Sequence, residues 1–252
     1  GFALRMLASH AGVVLTRERP LLSATLPVTG ERIAGTIDPI TDRPTFAIRV
    51  PPRQTFELSA FPRVKRRATA EFNVDSSDQL LTMMDEGRNV LIAGATGSGK
   101  TSYLSALMNT DMVKRDRCVV IEDTREVAIA SEDHVRFIES AEVSMGKLVR
   151  HALRYKPDRI ILGEVRDGHA ALELVNACNT GHGGSFASIH ANNAELGLQK
   201  LESLLAQVGH VAPHRDVAAA IGCVVFLIRH QIAEIIAVDG WDAKTGYLTR
   251  EL

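Results

Sequence analysis

From Asn89 onward, short runs of apolar residues alternate with stretches in which apolar positions return every three or four residues. The runs Asn89–Ala93, Cys118–Ile121, Arg159–Leu162 and Ser185–Ile189 are too short for helices and predict strands. Between Glu195 and Val208, Leu198, Leu201, Leu204, Leu205 and Val208 recur at helical spacing, a stripe that predicts a helix packed on a core. Ser76 and Gln79 have capping-box spacing ahead of Leu80, Leu81, Met83 and Met84, so another helix is expected to start there. Strands alternating with helices imply an α/β fold with a mostly parallel central sheet covered on both faces.

Residues 1–70 have a different rhythm. Val13–Thr16, Leu21–Leu26, Glu31–Thr36 and Thr45–Val50 are β-prone runs, punctuated by Pro20, Pro27-Val28-Thr29-Gly30, Asp38-Pro39 and Arg43-Pro44. This pattern predicts a small, mostly antiparallel α+β domain with a helix at its start. Pro51-Pro52 and the basic stretch around Arg63–Arg67 mark the boundary, giving a first domain over 1–70, a linker near 61–72 and an α/β domain over 73–252.

Composition narrows the function classes. With a formal net charge of -1 and a pI near 6.8, bulk charge offers no argument for a nucleic-acid or anionic-membrane partner. Aromatic residues make up 5% and do not interleave with the basic cluster Arg63, Lys65, Arg66 and Arg67, so the stacking surface of a single-strand-binding motor is not expected. Cys118, Cys178 and Cys223 are isolated, which fits buried thiols in a reducing compartment rather than a metal site. The longest apolar stretch, Val217–Ile228, falls short of the ~20 residues needed to span a bilayer. A cytoplasmic, soluble chain is the expectation.

One segment carries strong chemistry. Gly94-Ala95-Thr96-Gly97-Ser98-Gly99-Lys100-Thr101 satisfies GxxxxGK[ST], follows an expected strand and precedes the helix-prone segment Ser102–Met108. The glycines let consecutive backbone N–H groups converge on phosphate oxygens, and the helix directs its positive end at the same anion. Lys100 supplies a charge for the β- and γ-phosphates, Thr101 offers a hydroxyl to Mg²⁺, and Ser102 adds a further donor in the first turn. ATP and Mg²⁺ are the expected ligands.

In open α/β sheets, ligands bind beyond the carboxyl ends of the strands. The strand ends here carry Glu122-Asp123, Gly163-Glu164 and His190. Glu164 follows an apolar strand and is the expected general base or water-orienting residue. Gly163 stands where many phosphate-loop enzymes have a metal-binding aspartate, so Glu122 or Asp123 is expected to support the metal from behind. His190 is placed to donate a hydrogen bond to the γ-phosphate.

Together these segments resemble the secretion ATPase superfamily. Glu122-Asp-Thr-Arg-Glu126 resembles its Asp box, Leu148 to Arg166 its Walker B region, and Asn179 to Asn192 its His box, in the family's order. Gly12-Val-Val-Leu-Thr-Arg-Glu18, Leu22-Ser-Ala-Thr-Leu-Pro27 and Pro44-Thr-Phe-Ala-Ile-Arg49 extend the resemblance toward type IV secretion and conjugal-transfer ATPases of the VirB-eleven and TrbB kind. The resemblance implies a RecA-like domain in a homo-hexameric ring, with ATP between the two domains. It further implies other secretion components as partners at the cytoplasmic face of the inner membrane, a role in substrate translocation or pilus assembly, and no sequence-specific nucleic-acid binding. It makes Arg49, and after it Arg53, candidates to reach the nucleotide, as the rigid guanidinium fork suits phosphate oxygens. Arg150, Arg154 and Arg166 fall in family segments and read equally as packing or ion-pair residues. Type II secretion, pilus and tight-adherence motors share the same boxes and are the nearest alternative; a nucleotide-gated scaffold without turnover is a third reading.

Overall fold

The computed structural model describes residues 1–27, 30–50, 56–64 and 76–252. Pro51-Pro52, Arg53, Lys65, Arg66, Arg67 and most of the expected linker lie outside the described residues, as does the Ser76 side chain on which the capping box depends. The chain divides into two compact units, Gly1–Arg53 with Thr124–Glu126, and Gln54–Asp123 with Val127–Leu252.

The first unit contains helix α1 (Phe2–His10) and an antiparallel sheet of β1 (Leu21–Thr25), β2 (Arg32–Thr36) and β3 (Thr45–Arg49), in that order. Leu4 and Ala8, one helical turn apart, are buried with Leu15, Leu22, Ile33 and Ile37. Val13–Thr16 is not a strand. Its backbone closes on itself instead: the Val13 N–H donates to Ala8 O at 2.8 Å, and Thr16 and Arg19 exchange N–H···O bonds at 3.2 Å.

The second unit is the α/β body. Its elements are α2 (Ser76–Asp85), β4 (Val90–Gly94), α3 (Lys100–Met108), α4 (Asp111–Arg115), β5 (Cys118–Glu122), β6 (His134–Ile138), α5 (Met145–Ala152) and β7 (Arg159–Leu162). They continue with α6 (Gly168–Asn179), β8 (Phe186–Ile189), α7 (Ala194–Gln207), α8 (Pro213–Ala220), β9 (Cys223–Ile228), β10 (Gln231–Asp242) and β11 (Gly246–Glu251). The sheet runs β11-β10-β9-β4-β8-β7-β5-β6, parallel from β9 to β6, with β10 and β11 added antiparallel.

The uniformly apolar runs follow from burial on both faces. Along β4, Val90 and Ile92 face a core with Leu80, Met84, Tyr103, Leu104 and Leu107, while Leu91 and Ala93 face one with Val149, Leu174, Leu198 and Leu201. The α7 stripe is buried as its spacing predicts. Val217–Ile228 is no single element: it divides at Ile221-Gly222 between α8 and β9. The segment before the basic run belongs to this unit, because Phe61 stacks edge-on against Tyr103 at 5.0 Å and the Val64 N–H donates to Ile232 O at 2.9 Å. Among the described residues, no helix is long and apolar enough to cross a membrane.

Candidate nucleotide site

The loop Ala95–Gly99 joins the carboxyl end of β4 to the start of α3. Gly99 has φ +100°, and a Cβ there would lie 2.6 Å from His230 Nδ1, so the position excludes a side chain on both counts. Ala95, Thr96 and Gly97 are exposed, Ser98 is buried, and Thr101 and Ser102 stand half-buried on the first turn of α3. The first N–H groups of a helix have no intrahelical acceptor, so this turn offers donors to an anion. The Ser98 hydroxyl is buried without a hydrogen-bond partner among the described residues.

Lys100 is 7% exposed, and its Nζ donates to Gly94 O at 2.9 Å and Ala95 O at 3.0 Å. Burial lowers its pKa from the ordinary lysine value; Glu164 opposes that fall and Arg166 adds to it. A partly desolvated ammonium held by neutral dipoles, with no carboxylate in hydrogen-bond contact among the described residues, gains most from an arriving polyanion. The cradle therefore fits a nucleoside triphosphate.

From Lys100 a continuous chain of polar contacts crosses the strand ends. Lys100 Nζ lies 3.3 Å from His190 Nδ1, and His190 Nε2 lies 2.9 Å from Glu164 Oε1. Arg166 donates from Nη2 to Glu164 Oε2 at 2.9 Å and from Nη1 to Asp123 Oδ2. A neutral imidazole satisfies both neighbours in one tautomer: Nε2–H donates to Glu164 while Nδ1 accepts from the ammonium. The hydrogen bond to Glu164, followed by the charges of Asp123 and Glu164, raises the Arg166 pKa against the effect of burial.

Glu164 is held in place from both sides. The Gly163 N–H donates to Ile121 O at 2.9 Å, and the Ser188 hydroxyl donates to Gly163 O at 2.6 Å. Next along the chain, the Val165 N–H donates to Ser188 O at 2.8 Å, and Asp167 caps α6 by accepting from the His169 and Ala170 N–H groups. His190 directly follows β8 and precedes the turn in which Asn193 caps α7.

One expected residue, Glu122, turns away from this chain of contacts. Glu122 is 2% exposed, accepts the Val127 N–H at 2.7 Å and pairs with Arg136 at 3.3 Å. The carboxylate that joins the chain of contacts after β5 is Asp123, not Glu122. A Cβ on Gly163 would come within 3.0 Å of Glu122 Cγ, so the Glu122 side chain occupies the space a metal-binding aspartate would need. Arg49 belongs to the first unit, where its Nη2 lies 3.2 Å from Glu126 Oε2 and its side chain is 64% exposed. Arg166 is the site residue that sequence reasoning left without a role; its position two residues past Glu164, in the turn before α6, was the available signal. Among the described residues no group of three or more His, Cys, Asp or Glu could hold a metal alone. The Thr101 hydroxyl is the group that would hold a Mg²⁺ ion beside the loop.

A profile of the family described as Type II/IV secretion system protein matches residues 23–237. Conjugal transfer protein TrbB of Rhizobium radiobacter is 35% identical over 230 residues, spanning 89% of this chain and 69% of that protein. The crystal structure of the VirB11 ATPase from the Brucella suis type IV secretion system, in complex with sulphate, superposes with a TM-score of 0.54 at 26% identity, over 97% of this chain and 76% of that one. The pilus retraction motor PilT with bound ADP shares the fold at a TM-score of 0.61 and 18% identity, over 92% of this chain and 62% of that one. With the RecA-like sheet order and the phosphate loop in place, the chain belongs to the type II/IV secretion system protein family, alongside the conjugal transfer protein TrbB.

Proposed function

We propose that the chain is the ATP-hydrolysing subunit of a type IV secretion or conjugal-transfer motor. The observation that carries this reading is the unbroken set of contacts Lys100–His190–Glu164–Arg166–Asp123, which runs from the phosphate loop to the ends of β7 and β5. In this reading the loop amides from Gly97 to Ser102 hold the β- and γ-phosphates. Lys100 exchanges its bonds to Gly94 O and Ala95 O for phosphate oxygens. His190, released from the ammonium, turns its ring N–H from Glu164 to the terminal phosphoryl group and donates to it. Glu164, held in place by Arg166, orients a water for in-line attack on the γ-phosphorus and accepts its proton as the bond to the β-phosphate oxygen breaks. Mg²⁺, bound through the Thr101 hydroxyl, would neutralise charge on the transferred group.

The assembly reading goes further. The subunits form a homo-hexameric ring at the cytoplasmic face of the inner membrane, act with other secretion components, and drive substrate translocation or pilus assembly. Arg49 acts on nucleotide from the first unit, releasing Glu126 to do so. The similarity to TrbB supports this over a type II or pilus motor.

Steady-state phosphate release by the wild type and Lys100→Ala tests the central claim. The expected result is loss of turnover in the variant, with wild-type specific activity that rises with protein concentration as rings assemble. Equal turnover in the two proteins would refute the phosphate-loop assignment, and a fully active monomer would refute the ring.

A further inference from the structure

The β9–β10 hairpin turns on only two residues, Arg229 and His230, since Ile228 pairs with Gln231. Both have left-handed backbones, with φ +48° and +63°. A two-residue hairpin of type I′ needs positive φ at both central positions, a demand usually met by Asn-Gly. Here two long, polar, β-carbon-bearing residues meet it instead, at the cost of backbone strain. Among the described residues neither side chain has an ion pair or a hydrogen bond, and both are exposed. The folded chain gains nothing visible from their side chains.

The turn is nevertheless fastened to the phosphate loop. The His230 N–H donates to Ser98 O at 2.8 Å, and the imidazole lies directly over the Cα of Gly99. Beside it opens a cavity of about 340 Å³ whose walls include Thr96, Gly97, Asn192, Phe226 and Arg229.

Sheet order fixes which end of a nucleotide this turn meets. In the order β9-β4-β8-β7, the residues that face the terminal phosphate, Glu164 and His190, follow β7 and β8 on one side of β4. The Arg229–His230 turn follows β9 on the other side. A triphosphate lying across the loop with its γ end toward Glu164 has its nucleoside end toward β9. Imidazole and guanidinium are flat, cationic or polar planes of the kind that stack on bases.

We infer that the Arg229–His230 turn is the nucleoside-recognition element of the site, its two planar side chains stacking on the base. The inference rests on the nucleotide reading given above. It makes the turn responsible for affinity toward the base and leaves the loop and Lys100 responsible for the phosphates.

The double variant R229N/H230G tests it, because Asn-Gly suits the turn and preserves the hairpin. Equilibrium binding of ATP and of inorganic tripolyphosphate is measured for both proteins, with thermal unfolding as a control. The variant is expected to bind ATP about tenfold more weakly, ~1.4 kcal/mol, to bind tripolyphosphate unchanged, and to melt no lower than the wild type. Equal losses for both ligands would make the turn a brace for the loop and overturn the inference, as would unchanged ATP affinity. A wild type that binds neither ligand would instead overturn the nucleotide site itself, and the turn's role with it.

Discussion

Replacing Glu164 by glutamine changes one atom in the carboxylate, yet the geometry allows it no neutral outcome. Glu164 accepts on one oxygen from His190 Nε2 at 2.9 Å and on the other from Arg166 Nη2 at 2.9 Å. Arginine is only ever a donor, so a glutamine that keeps the Arg166 contact must turn its NH₂ toward His190. Nε2 must then accept, which moves the imidazole proton to Nδ1, 3.3 Å from the Lys100 ammonium, where two donors now face each other. Turning the amide the other way sets NH₂ against guanidinium. Either way one contact becomes donor-to-donor, a cost of about 1–3 kcal/mol for the unsatisfied group. More decisive is the loss of the basic oxygen, which should slow turnover by at least about 10²-fold. ATP binding should survive, because the loop amides and Lys100 are untouched. The assay pairs equilibrium ATP binding with single-turnover phosphate release. Wild-type turnover with normal binding would move the base away from Glu164, and loss of binding together with turnover would show that the carboxylate organises the phosphate loop instead.

Three further outcomes follow from other contacts. Arg136→Ala leaves the Glu122 carboxylate, 2% exposed, without its cation and should lower the unfolding free energy by about 3 kcal/mol in urea titration; a change below 0.5 kcal/mol, the usual range for surface substitutions, would contradict the buried pairing. Gly99→Ala combines a φ of +100° with a clash against His230 and should cost about 1–3 kcal/mol of stability and weaken nucleotide binding, whereas unchanged melting and binding would show that the loop relaxes freely. Burial lowers the Lys100 pKa from 10.5, so the unfolded chain holds its proton more tightly than the folded one. Stability should therefore rise with pH across the window just below 10.5 relative to Lys100→Met, measured by denaturant midpoints; a difference that falls or stays flat in that window would refute the desolvated placement.

What the sequence disclosed about the site was what lies close together along the chain. Gly94–Thr101 is legible because loop, lysine and helix start are consecutive, and Glu164 and His190 because each stands within two residues of the end of an apolar strand. Arg166 and the Arg229–His230 turn were not legible as site parts. Their meaning comes from partners 43 residues away at Asp123 and, for the turn, at Ser98 beyond the end of the neighbouring strand β4, and no local pattern encodes such distances. The α/β alternation survived for the same reason that a double-sided sheet leaves uniform apolar runs. Val13–Thr16, in which Leu15 alone is buried and the backbone bonds are local, had no such constraint.

The exchange of Glu122 for Asp123 shows where strand-end reasoning depends on a neighbour. Reading β5 from its apolar residues alone ends it at Ile121, which is where its pairing with β7 ends, opposite Leu162. On its other side β5 pairs with β6, and that register continues one residue further, Glu122 opposite Ile138, with the Glu139 N–H closing on Glu122 O at 2.8 Å. Glu122 is thus the last residue of the strand rather than the first beyond it. Successive side chains in a strand point to opposite faces, so one added pair of backbone bonds turns Glu122 toward Arg136 and hands the strand-end position to Asp123. His134–Phe137 alternates polar and apolar over four residues, the shortest run that signals a half-buried strand. The assignment of the acid beside Arg166 therefore rested on a short strand that a reading of uniformly apolar runs passes over.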